Sequence, residues 1–171
     1  MKVENGAIIS FSTKKFSKTH FIKKAFHYLI EWFTQSEVHH QAIYCKGLYE
    51  AMANTGVRKI TLDQKRKEIS KHVEMIIENP KTRLTDEEVN RMQADLNNQL
   101  GKKYSYIEAF LSILTAILIF DKEEIRTKKM FCSKLVIYAV KNIRPAEFYD
   151  KIPRHFNPDE ALKKLKKIEY I

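Results

Sequence analysis

Apolar residues in the first half of this chain come in short runs and alternations, and in the second half they recur every third or fourth position. Gly6-Ala7-Ile8-Ile9-Ser10-Phe11-Ser12 is a short β-rich run after a turn residue. From Ser17 to Thr34, Phe21, Ala25, Tyr28, Leu29 and Trp32 fall at helical spacing, so the expected opening is strand then helix. Val38 to Tyr44, Gly47 to Ala51, Val57 to Leu62 and His72 to Ile77 each read as short strands. Lys46-Gly47, Asn54-Thr55-Gly56 and a polar segment around Lys65 separate them, which predicts a small antiparallel sheet.

After Asn79-Pro80 the rhythm becomes helical. Thr85-Asp86-Glu87-Glu88 supplies an N-cap and first-turn acids for a helix to about Leu100, with Gly101 as its stop. Further helices are predicted for Tyr106 to Phe120, for Cys132 to Lys141, and for Pro158 to about Lys167, the last with Asn157 as N-cap and Pro158 at its first position. Strands early and helices late give an α+β class, a small antiparallel sheet packed with helices.

Composition narrows this picture without redirecting it. At 171 residues, with 44% hydrophobic and 11% aromatic content, the chain is expected to form one domain over 1–171 with a substantial core. Gly and Pro number only four each, and no long linker or internal repeat interrupts the sequence. The 31 basic against 21 acidic side chains give +10. Lysines are spread over most elements, only Lys163-Lys164-Leu165-Lys166-Lys167 is dense, and no helix-turn-helix, zinc-finger or RNA-recognition signature accompanies them. The charge therefore reads as a solvated basic face, and no specific nucleic-acid partner is expected.

The opening Met1-Lys2-Val3-Glu4-Asn5-Gly6 lacks the features of a secretory signal. Ala109 to Phe120, the longest apolar run at 12 residues, is short of the roughly 20 that a membrane-crossing helix needs. A cytoplasmic location follows as the expectation, and in that reducing setting Cys45 and Cys132 stay thiols with chemistry of their own.

Cys132 opens the helical segment Cys132 to Val140, in which Leu135, Val136, Ala139 and Val140 make the buried face. A helix start presents unpaired backbone N–H groups and the positive end of the dipole, which favour thiolate over thiol and can steady an oxyanion. The competing reading is a small buried hydrophobe.

A thiolate needs a base, and six histidines are available. His20, His27 and His155 lie in contexts that suit surface roles. In His39-His40-Gln41-Ala42-Ile43-Tyr44 the period of two puts His40, Ala42 and Tyr44 on one strand face and His39, Gln41, Ile43 and Cys45 on the other. Cys45 is thus a poor partner for His40. Glu50, one hairpin further on, can accept an N–H from the imidazole and hold its tautomer, against the alternative of simple solvation. Neither Cys-x-x-Cys nor His-Glu-x-x-His occurs, so no metal site and no cofactor is expected.

Together these residues resemble a family. His40-Gln41-Ala42-Ile43-Tyr44 followed by Tyr49-Glu50-Ala51 is similar to the histidine strand and next strand of the NlpC-type cysteine hydrolases in their circularly permuted branch, where histidine precedes cysteine. Gly101-Lys102-Lys103-Tyr104 resembles the Gly-x-x-Tyr element, Phe131-Cys132-Ser133-Lys134-Leu135-Val136 the aromatic-Cys-Ser-x-Leu-Val nucleophile motif, and Gly6-Ala7-Ile8-Ile9 the opening Gly-Asp-Ile-Ile strand. The nearest pattern is the YiiX/YebB-like group, the permuted papain-like amidases. Ala7 stands for the usual Asp, His39 for Ser and Lys134 for a frequent Glu, departures that bear on substrate more than mechanism.

The resemblance implies a circularly permuted papain-like fold and a catalytic set of Cys132, His40 and Glu50, with Tyr104 beside the substrate. It implies a cysteine amidase or peptidase forming a thioester acyl-enzyme, with cell-wall peptides among the candidate substrates. A rival within the same set is a thiol acyltransferase or esterase acting on lipid esters at a membrane surface. Phe21, Phe26, Trp32, Phe33 and the run Phe110 to Phe120 would suit such peripheral contact. A third expectation is a non-catalytic binding module on the same fold, marked by an inert Cys132.

Overall fold

Alternating side chains over short runs produce a five-stranded antiparallel sheet, built from β1 (Ile8–Thr13), β2 (Val38–Tyr44), β3 (Leu48–Met52), β4 (Gly56–Ile60) and β5 (Val73–Glu78) in the order β4-β3-β2-β1-β5. The computed structural model describes residues 2–13, 38–69, 71–105, 130–145 and 158–171. The helices expected over Ser17 to Thr34 and Tyr106 to Phe120, the Asn157 cap, and His20, His27 and His155 lie outside those residues.

Register follows the side-chain alternation. Ile9 pairs with Ala42 and Phe11 with His40 across β1 and β2, and Ala42 pairs with Glu50 across β2 and β3. These residues share one sheet face, where Ile9, Phe11, Ala42 and Leu48 form a small buried cluster. The other face carries Ile8, Ile43, Tyr49, Ala51 and Val57 into a larger core with the helices. Such a split between two faces is what period two requires of a sheet covered on both sides.

The described helices are α1 (Leu62–Glu68), α2 (Asp86–Asn97), α3 (Cys132–Ile143) and α4 (Pro158–Lys167). Thr85 caps α2 through a reciprocal capping box with Glu88, as the sequence suggests, and the helix stops at Asn97, short of Leu100. Val89, Met92 and Leu96 of α2, Leu135, Val136, Ala139 and Val140 of α3, and Ala161 and Leu165 of α4 fill the larger core.

One expectation needs correcting. The polar segment around Lys65 is not a spacer but helix α1, and β4 ends at Ile60 because Thr61 turns into its N-cap. Thr61 Oγ1 accepts from the Gln64 N–H, and the Gln64 side chain accepts from the Thr61 N–H. Asp63 in the first turn and Lys65, Arg66 and Lys67 in the last suit the helix dipole.

The segment after α2 is tied to the sheet edge. Val57 N–H donates to Lys102 O at 2.9 Å, and Gly101 N–H donates to Val57 O at 2.9 Å. Gly56 permits this approach: it has φ +72°, and a Cβ there would lie 2.3 Å from Lys102 O. Among the described residues no helix is long and apolar enough to cross a membrane.

Candidate active site

Toward its start, β2 runs past the last β3 pairing at Ala42↔Glu50, and the first turn of α3 comes in beside it. Cys132 is the first residue of α3. Phe131, the N-cap, supplies no side-chain cap, so the helix start keeps backbone donors for the sulfur. The backbone N–H groups of Gln41 and Ser133 hydrogen-bond Cys132 Sγ, and His40 makes a side-chain hydrogen bond to it. The Gln41 side chain, on the opposite face from His40, donates through Nε2 to Pro158 O at 2.9 Å and fixes the start of α4 beneath the same strand.

His40 is held on its far side as well. Its Nε2 lies 3.0 Å from Glu50 Oε2, which leaves Nδ1 as the nitrogen for the thiol. Phe11 packs against the imidazole with ring centroids 5.3 Å apart, as their cross-strand pairing dictates. The His40 side chain retains 16% exposure and Cys132 6%, whereas Glu50 has none. The imidazole is thus the more exposed part of the chain, while its carboxylate end is sealed.

Glu50 is not the solvated strand residue of the alternative reading. Arg58 donates to Oε1 from Nε at 2.9 Å and from Nη2 at 2.7 Å, and Lys65 Nζ donates to Oε2 at 2.6 Å. Arg58 also pairs with Glu68, on the last turn of α1. Two full charges and an imidazole therefore converge on one buried carboxylate. Burial would raise its pKa, but the hydrogen bonds from His40 and Lys65 prevail and hold it down at about 2.

The same competition acts on the other two groups. Burial disfavours the thiolate, yet the hydrogen bond from His40, its charge and the backbone N–H groups bring the Cys132 thiol below its ordinary value. Burial also disfavours imidazolium, yet Cys132 and Glu50 raise the His40 pKa above its ordinary value. Opposite shifts in two touching groups favour a thiolate–imidazolium pair. Chemically, such a pair is a nucleophile with a proton donor already beside it.

Tyr104 sits on the segment that follows α2. It bridges to Met130 in a parallel pairing, with Ser105 N–H donating to Met130 O at 2.8 Å and Met130 N–H donating to Lys103 O at 3.1 Å. That bridge steadies the approach to Cys132, and the half-buried Tyr104 ring packs against the larger core. Cys45 lies across the sheet from His40, fully buried, with Sγ 3.5 Å from Val89 O. Both cysteines are free, and burial pushes the Cys45 thiol up to about 11. The strand alternation therefore separates Cys45 from His40, as it predicts.

Sequence reasoning missed Arg58 and Lys65. Arg58 was legible in principle: a hairpin through Asn54-Thr55-Gly56 sets Glu50 opposite Arg58, which is the observed register. Lys65 reaches Glu50 only through the path of α1, and no local spacing encodes that.

No protein-family model and no curated protein sequence matches the chain. Among solved structures, the fold is similar to the crystal structure of the metalloprotein YiiX from Escherichia coli O157:H7. The match has 17% identity and a TM-score of 0.58, and it covers 98% of this chain and 83% of that one. The likeness is one of fold: an α+β arrangement with a five-stranded antiparallel sheet and the described helices around it.

Proposed function

We propose that this protein is a cysteine-dependent hydrolase of amide bonds, of the circularly permuted papain-like kind. The observation that carries the reading is the continuous chain from Cys132 Sγ through His40 to Glu50 Oε2, with a depressed thiol and a raised imidazole at its reacting end. A buried hydrophobic cysteine needs none of these groups, whereas covalent acyl transfer needs each of them.

In the proposed reaction the Cys132 thiolate attacks the substrate carbonyl, and backbone N–H at the start of α3 steadies the oxyanion. The His40 imidazolium gives its proton to the departing amine as the carbon–nitrogen bond breaks, leaving a thioester on Cys132. Neutral His40 then takes a proton from water, hydroxide adds to the thioester, and collapse releases the acid and the thiolate. Glu50 fixes the imidazole so that Nδ1 faces sulfur throughout. Tyr104, on the segment bridged to Met130, is assigned to substrate positioning.

YiiX is described as a metalloprotein, so the donor set of this chain bears on a resident metal. Among the described residues no three His, Cys, Asp or Glu side chains are grouped to hold an ion. The carboxylate beside His40 already has both oxygens taken by Arg58 and Lys65. The described residues at this site therefore do not fit a metal.

The test is labelling with a chloroacetamide-tagged acyl probe, followed by hydrolysis assays on peptide amides, including D-amino-acid dipeptides, and on short-chain lipid esters. Wild type is expected to label and Cys132→Ala to lose labelling completely, with amides turned over. Ester-only turnover would move the assignment to the lipid-directed rival, and an unreactive Cys132 would leave a binding module.

A further inference from the structure

Two donors occupy the same oxygen of Glu50. His40 Nε2 lies 3.0 Å from Oε2 and Lys65 Nζ lies 2.6 Å from it, while Arg58 holds Oε1 through Nε and Nη2. Lys65 is itself buried, 4% exposed, and its ammonium sits 4.7 Å from the centroid of Phe11, the ring that packs on His40. Burying an ammonium is costly unless it is paired, so its place is set by Glu50 and by the Phe11 ring face. A carboxylate meant only to hold an imidazole tautomer has no need of a second cation on the accepting oxygen.

We propose that Lys65 is a positioning residue that limits how strongly Glu50 stabilises the imidazolium of His40. This rests on the reading of Cys132 and His40 as the reacting pair. Its physical content is a division of charge. Lys65 from α1 and Arg58 from β4 neutralise most of the carboxylate's field, leaving Glu50 a rigid acceptor rather than a strong counter-ion. The imidazolium then keeps enough acidity to release its proton to a leaving group, which a fully exposed ion pair with Glu50 would oppose. Among the described residues, Glu50 on β3 and Cys132 on α3 hydrogen-bond His40 directly, and Lys65 on α1 shares Glu50 Oε2 with it. Arg58 and, through it, Glu68 form the next layer.

The consequence can be read from the alkylation rate of Cys132 by iodoacetamide as a function of pH, in a Cys45→Ala background so that one thiol reports. The thiolate–imidazolium pair gives a lower limb, where the thiol ionises, and an upper limb, where the imidazolium loses its proton. Lys65→Met removes a buried positive charge next to the imidazole, so the upper limb should move up by about half a pH unit or more, and the lower limb less, because sulfur lies on the far side of the ring. Lys65→Arg keeps the charge and should leave both limbs near their wild-type positions. Lys65→Gln keeps an N–H donor for Oε2 without the charge; it should shift like Lys65→Met and serves in its place if the latter does not fold.

Unmoved limbs in the neutral variants, with only a lower melting temperature, would show a purely structural lysine. A Lys65→Arg shift as large as that of Lys65→Met would also overturn the proposal. A wild-type profile with one limb at the ordinary thiol range defeats the nucleophile reading itself, and this proposal with it. A depressed lower limb in wild type together with unshifted neutral variants defeats this proposal alone.

Discussion

Glu50 shows how much of this site depends on one buried charge. Its side chain is fully buried and accepts from His40, Arg58 and Lys65. Replacing it with Gln preserves shape but leaves two cations facing a neutral amide, and removing one partner of a buried ion pair typically costs about 3–5 kcal/mol. The pH dependence has a definite sign. The folded carboxyl is held at about 2 against an ordinary 4.5, so its contribution is complete above the unfolded value and is lost as pH falls through about 2. Thermal melts should therefore show Glu50→Gln well below wild type at neutral pH, with the gap narrowing between pH 4.5 and 2. An equal gap at both ends of that range would mean the carboxylate's charge is not what stabilises this region. The raised His40 works in the other direction, stabilising below its unfolded value and losing that contribution as pH rises through the folded one.

Strands and hairpins were the most legible part of the sequence, because alternation fixes which side chains share a face. His40 on one side and Cys45 on the other follow from period two, and the observed register sets Glu50 and Phe11 on the side of His40. Helix α1 was hidden for an equally physical reason. Leu62-Asp63-Gln64-Lys65-Arg66-Lys67-Glu68 has a single apolar residue, so no periodicity marks it, and only the Thr61–Gln64 capping box betrays a helix. The anchoring of Lys65 on Glu50 lay beyond reach, since it depends on how α1 folds back over the sheet. Gly56 carries the next testable consequence. Its positive φ and its closeness to Lys102 O let β4 hold the 101–105 segment, which in turn bridges to Met130 ahead of Cys132. Gly56→Ala must either strain the turn or push that segment away. A loss of about 2 kcal/mol in denaturant unfolding is expected, together with slower alkylation of Cys132. Unchanged stability would show that the contact can relax without cost.

Cys132 and His40 come from distant parts of the chain, and their meeting is a property of how the layers pack. Helix α3 is set against α2 by the Arg144–Glu88 ion pair and by Asn142 donating to Asp95 at 3.1 Å, and against β2 through the larger core. Gln41 ties α4 to β2 beside the same point. The histidine-before-cysteine order and the helix-start cysteine were readable in the sequence. That the sulfur would lodge where the β2–β3 pairing ends was not, because that meeting arises only once helix and sheet have packed. The likeness to YiiX, at 17% identity, is one of fold, so the proposed chemistry rests on the residues of this chain alone. It is best tested by mixing the protein with p-nitrophenyl acetate and following nitrophenolate release and intact mass on the same quenched samples. A burst of one nitrophenolate per chain is predicted, with one acetyl group mapped to Cys132. The burst should vanish in Cys132→Ala and slow by about 10²–10⁴-fold in His40→Ala, the usual range for losing a general base. A burst that persists in Cys132→Ala, or acetyl mapped to Cys45, would contradict the assignment of Cys132 as the nucleophile.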